Sequence, residues 1–240
     1  MNKAARIISK ETLPDGAVRL VMESTVPREE AYLLEQQSVT TGVCYFEDGR
    51  DYSEAQRAKI FAMCADVAEW QFGERRCKEA SREQLMEMFL DVCAEMEEPV
   101  ERFSLKRNSP VVASMTTASR FIDFIITFCL RNRIPTKRPL SQYAEDLGRY
   151  TYRCLAEGCC CISQRDRVLH IHHVDKIGMG NNRQKIDQVG MRALPLLAQY
   201  HEEIHQIGDT AFCQKYHVQP IRLTPYLIQR LKKRWIEWAD

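Results

Sequence analysis

The chain of 240 residues has no run of 18 consecutive apolar residues, which leaves no candidate for a transmembrane helix. Its opening stretch, MNKAARIISKETLPDG, is charged and lacks the apolar core of a secretory leader. A cytoplasmic protein with no membrane partner is therefore expected. Neither charge sign dominates: 34 Lys and Arg face 33 Asp and Glu, a net charge of +1, so the overall balance singles out no polyanion. Internal repeats and low-complexity tracts are absent. Cysteine occurs ten times, yet no two cysteines stand at C-x-x-C spacing. In a long chain without a leader, reduced thiols are a better expectation than a disulfide framework.

What is present reads as a globular protein. At 45% hydrophobic and 28% charged residues, the chain can bury a real core in one large or two modest domains. Charge is unevenly spread. Segment 83–101 is acidic, segment 131–167 is basic, and the tail adds Arg230, Lys232, Lys233 and Arg234. Basic charge close to a site suits a phosphate polymer, although charge alone fits a solvated surface as well.

Local patterns predict the elements. Residues 4–24 read as a hairpin turning at Leu13-Pro14-Asp15-Gly16, followed by a short helical stretch at 28–37 and a strand at 39–46. Ser53, with Gln56 three residues on, forms a capping box for a helix whose apolar face is Ile60, Met63, Cys64 and Val67. A second helix is expected at about 81–97, and the apolar run Phe121–Leu130 marks a buried one. That run could equally serve a homo-oligomer interface. Residues 131–140, basic and with two prolines, read as an interdomain linker. Ser141 is expected to cap a helix to about Leu155. A strand follows at 168–174, then a loop with Gly178 and Gly180, then a helix from about Pro195 to Ile207. Thr224 and Pro225 are the start signal of a last helix.

Histidine is scarce, with six in all, but five of them (His170, His172, His173, His201 and His205) fall between 170 and 205. His201 and His205 are four apart on a predicted helix, so both imidazoles leave one face. His172 and His173 end a predicted strand and point in different directions, so one can ligate an ion while the other faces substrate. Phosphodiester hydrolysis needs that division. A histidine can take the proton of the attacking water near neutral pH. A divalent cation stabilises the charge that develops on phosphate and leaving oxygen.

The runs HIHHVDKIGMGNNR and LPLLAQYHEEIHQIG, with the trailing AFCQKYHV, resemble the HNH (ββα-metal) domain of phage-encoded HNH nucleases over roughly residues 150–220. The resemblance implies His172, His201 and His205 as ligands of one divalent ion (Mg²⁺, Mn²⁺, Zn²⁺ or similar) and His173 as general base. It also exposes a departure. Such domains often carry a structural zinc knuckle, but here Ser163, Leu197 and Tyr200 stand where three of its four ligands would be. The structural zinc is expected to be lost, with apolar packing in its place, and Cys159–Cys161 to be idle thiols rather than a rearranged site. Asn181, Asn182, Gln188 and Arg192 are candidates to orient the base, and spacing does not choose among them. His170, Asn182 and Arg183 are candidate DNA contacts.

The stretches GRDYSEAQRAKIFAMCADVAEW and FSLKRNSPVVASMTTASRFIDFIITF are similar to NinB-type phage recombination proteins over roughly residues 40–133. That similarity implies binding of single-stranded or joint DNA. Gln56, Arg57, Lys59, Lys106 and Arg107 are its candidate phosphate contacts. Trp70, Phe72 and Tyr52 are candidates for base stacking, with core packing the commoner fate of such rings. The expectation is an α+β protein of two domains: a mixed α/β recombination-protein-like domain over 1–135, and a small ββα-metal domain with a C-terminal helix over 136–240. Metal-dependent cleavage of DNA, single-stranded or branched rather than plain duplex, is the leading function. Its rival is a non-catalytic single-stranded-DNA-binding recombination mediator with a degenerate HNH domain.

Overall fold

The computed structural model describes residues 5–12, 18–24, 50–96, 100–166, 168–175, 188–232 and 236–237. The chain divides into two compact units, one formed by Met1–Glu47 with Leu90–Glu101 and one by Asp48–Phe89 with Arg102–Asp240. In the first, β1 (Ala5–Thr12) and β2 (Val18–Ser24) pair antiparallel from Ala5↔Ser24 to Thr12↔Val18, as their alternation predicts, with an irregularity between Ile7 and Ser9. The turn at 13–16, the helical stretch at 28–37 and the strand at 39–46 lie outside the described residues.

The second unit opens with α1 (Glu54–Phe72). Ser53 Oγ accepts from Gln56 N at 3.1 Å, and Gln56 Oε1 accepts from Ser53 N at 2.9 Å, so two otherwise orphaned donors are satisfied reciprocally. Ile60, Met63, Cys64 and Val67 are buried, as expected. Helix α2 (Lys78–Glu95) starts slightly earlier than its periodicity suggests, and its residues from Leu90 on are counted in the first unit. Helix α3 (Met115–Arg131), capped by Ser114, buries Phe121, Ile122, Ile125, Ile126 and Leu130 within the chain. Phe89 and Phe103 meet Phe121 with ring centroids 5.3 and 5.5 Å away. The apolar 121–130 run is thus spent on intramolecular core.

Segment 131–140 is tied to its surroundings although both of its prolines are exposed. Ile134 and Leu140 are buried, Lys137 N donates to Asp66 Oδ2 at 3.2 Å, and the Arg133 guanidinium donates to the carbonyls of Leu130 and Glu157. Ser141 does not cap a helix. It is buried with its hydroxyl donating to the Tyr216 carbonyl, and residues 140–142 form a single tight turn. Helix α4 (Leu147–Glu157) begins instead at Asp146, whose Oδ1 accepts from Arg149 N at 2.9 Å.

A four-stranded sheet, in the order β5 (Ile221–Arg222), β4 (Arg192–Leu196), β3 (Leu169–His173), β6 (Ile236–Glu237), positions the histidines. Strand β3 pairs antiparallel with β4, from His170↔Leu196 to His173↔Ala193. Strands β5 and β6 complete it. Pro195 was expected to open a helix; it lies in β4, and α5 (Ala198–Ile207) starts after Leu197. The strand tolerates this proline because its carbonyl faces away from β3, accepting from Cys161 N at 3.0 Å, so no β3 ladder bond needs its missing N–H.

Ile171 faces a core shared with Leu155 of α4 and with Leu227 and Leu231 of α7 (Pro225–Lys232), the helix started by Thr224. Alternation therefore places His170 and His172 on the other face of β3, against which α5 packs. Helix α6 (Asp209–Tyr216) follows α5 directly. Gly208 closes one helix and opens the next at φ 81° and ψ 156°, a conformation essentially confined to glycine.

Cys159, Cys160 and Cys161 are fully buried, and burial pushes the Cys161 thiol well up. Tyr200, at a knuckle position, packs edge-on against Tyr216 with centroids 5.6 Å apart. Among the described residues no helix is long and apolar enough to cross a membrane.

Candidate metal centre

The i, i+4 spacing on α5 brings His201 Nε2 and His205 Nε2 to 3.1 Å. The ring of His172, delivered by β3, stands 5.3 Å from His201 and 5.1 Å from His205 between centroids. One nitrogen from each of the three can be chosen so that all lie within 4.8 Å of one another, the one such group of possible ligands among the described residues.

His172 is 4% exposed, His201 is half-buried and His205 is open to solvent, so the cluster runs from the interior to the surface. Burial pushes the His172 imidazole below its ordinary pKa, against an opposing pull from Asp209. The imidazole is therefore neutral at neutral pH, the form that binds metals. His172 Nδ1 is buried with no hydrogen-bond partner among the described residues. Three imidazole nitrogens, one of them buried without a partner among the described residues, make a donor set that fits a divalent transition ion. His170 stacks on His201 at 5.4 Å with rings 16° apart, which steadies the middle ligand candidate.

His173 is half-buried. Burial, then the neighbouring His172, hold its imidazole below the usual value. Strand parity sends it to the face opposite His172. Just beyond it Asp175 clasps Arg192, accepting from its N, Nε and Nη2 at 2.7, 2.9 and 2.7 Å. Arg192 is thereby occupied in holding the strand end, while Gln188 Oε1 is buried without a partner among the described residues. Asn181, Asn182 and Arg183 lie outside the described residues. The sequence reading missed Asp209, whose Oδ1 stands 2.8 Å from His172 Nε2. Its signal was the spacing His201-x₃-His205-x₃-Asp209.

Residues 25–234 match the family described as "Putative HNHc nuclease". The chain belongs to this HNH nuclease family. No curated protein and no solved structure matches it. The HNH match runs through residues 40–133 as well and lends the NinB resemblance of that stretch no support.

The DNA contacts expected in that stretch are largely engaged within the fold. Gln56 is buried, its Nε2 donating to Met115 O, Ser119 Oγ and Glu145 Oε2, so it presents nothing to a phosphate. Its capping role and its position against α3 turned it inward. Arg57 donates to Leu105 O and lies 5.0 Å over the Phe61 ring. Lys59 pairs with Glu145 at 3.5 Å and Arg107 with Glu54 at 2.9 Å, while the Lys106 side chain is exposed. Tyr52 is core, its hydroxyl donating to Leu105 O at 2.6 Å, whereas Trp70 and Phe72 are exposed at the end of α1.

Proposed function

We propose that the chain is an endonuclease hydrolysing DNA phosphodiesters, with one divalent ion on His172, His201 and His205 and with His173 as general base. The observation that carries this is the convergence of three imidazoles from β3 and α5 in a chain of an HNH nuclease family. A divalent ion bound there supplies electrostatic stabilisation of the charge developing on the phosphate and the leaving oxygen. His173, adjacent to a ligand yet outside the cluster, takes the proton of the attacking water at an unprotonated ring nitrogen. The Asp175–Arg192 clasp fixes the end of β3 and so the separation of base and ligand. Nitrogen ligands favour tight binding of Mn²⁺ or Zn²⁺ over Mg²⁺. The segment 136–240 carries this whole set, and 1–135 adds surface for single-stranded or branched DNA.

The test strips the protein with chelator and incubates it with supercoiled, single-stranded and branched DNA, with and without Mn²⁺ or Mg²⁺, beside His173→Ala. The expected result is metal-dependent cleavage that falls by ~10²–10⁴-fold in the variant, the usual share of a general base, with DNA binding retained. DNA binding without cleavage above the variant, for every ion, would overturn the enzyme reading and leave a recombination mediator.

A further inference from the structure

The proposed ligand set leaves one close contact unused. Asp209 opens α6, where a carboxylate is favoured by the helix N-terminus, yet it also reaches back to the ring of His172. Its Oδ1 lies 2.8 Å from Nε2, and an ionised carboxylate can only accept, so Nε2 carries the proton and donates. The remaining nitrogen of that ring, Nδ1, is then a bare lone pair. It is buried and has no hydrogen-bond partner among the described residues. The carboxylate itself falls outside the group of mutually close donors formed by His172, His201 and His205. A ring tethered at one nitrogen and vacant at the other is how proteins orient a metal-binding histidine and fix its tautomer.

We infer that Asp209 is the positioning residue of this centre, holding His172 by its Nε2–H so that Nδ1 is presented to the ion. The inference rests on the metal reading above and adds a residue to it. The path is short: His205 and Asp209 are four residues apart in sequence, so α5 supplies two ligands and α6 the group that aims the third. Arg192 also interacts electrostatically with Asp209, but its own side chain is held by Asp175.

The test uses the full chain, stripped of metal, and measures Zn²⁺ affinity by competition with a chromophoric chelator for wild type, Asp209→Ala and Asp209→Asn. Thermal midpoints of the metal-free forms report any loss of folding. The expected result is Zn²⁺ binding weakened ~10–100-fold in Asp209→Ala, the usual effect of removing such a partner, and less in Asp209→Asn, which keeps an acceptor. Long-range ¹H–¹⁵N spectra of the Zn²⁺-loaded wild type should show His172 protonated at Nε2 and bound through Nδ1. Equal Zn²⁺ affinity in wild type and both variants would overturn this inference alone. His172 bound through Nε2 would also overturn it and make Asp209 a candidate ligand. A wild type that takes up no Zn²⁺, Mn²⁺ or Co²⁺ would overturn the metal reading and this inference with it.

Discussion

Replacing His201 and His205 together with alanine should leave the metal-free protein as stable as before and remove its response to divalent ions. One proposed ligand comes from β3 and two from α5, elements distant in sequence that meet only in the folded chain. An ion on all three therefore binds the native state and barely the unfolded one. Such binding stabilises by RT ln(1 + [L]/Kd), about 2.7 kcal/mol when the free ion is 100-fold above Kd. For a domain of this size each kcal/mol moves Tm by about 2–4 °C, so saturation should raise Tm by ~5–11 °C. His205 is exposed and His201 half-buried, so their removal opens no core cavity and the metal-free Tm should hold. The assay is thermal unfolding followed by circular dichroism, with Zn²⁺ or Mn²⁺ added and then withdrawn by chelator. A double variant that gains the same shift as wild type, or a wild type that gains none, would refute the three-histidine centre.

Two further outcomes probe the scaffold. Phe121→Ala, which empties the ring at the meeting of Phe89, Phe103 and Phe124, should cost about 3–5 kcal/mol in urea unfolding and leave Zn²⁺ affinity unchanged. The carboxyl of Asp175 is held below its ordinary range by the side-chain and backbone donors of Arg192. Its depressed pKa means that its stabilisation is present above about pH 4, the unfolded value, and disappears as pH falls through the folded value. Asp175→Asn should therefore be less stable than wild type at neutral pH, and the two urea midpoints should converge in acid.

The gathering of His172, His201 and His205 was legible because the patterns behind it are local. An i, i+4 histidine pair and a strand-ending histidine pair state their geometry within a few residues, and a serine with a glutamine three residues on states a helix start. The misreadings came where tertiary partners decide. Pro195 carries a helix-start signal, yet it sits in a strand because Cys161 lies where its carbonyl points. Ser141 carries the side chain of a cap, yet Tyr216 claims its hydroxyl and leaves the capping to Asp146. Gln56 looks like a surface polar residue beside Arg57 and Lys59, yet α3 and Glu145 surround its amide. Asp209 continues the four-residue spacing of His201 and His205, but that spacing alone does not show that its carboxylate reaches His172. Its bond to His172 joins two elements whose docking no local pattern records.

Gly208 has a consequence for chain length. A junction of one residue is a coupling of fixed pitch: it sets where α6 begins and the rotational phase at which Asp209 leaves it. One inserted residue would turn that phase by about 100° and carry the carboxylate away from His172, with no spare loop to absorb the change. An alanine at 208 would find space for its methyl group but not for its backbone, since nothing lies within 4 Å of the missing Cβ while φ stands at +81°. Composition and length are thus both fixed at a point outside the histidine cluster, and an insertion there should disable the proposed centre while His172, His201 and His205 are all retained.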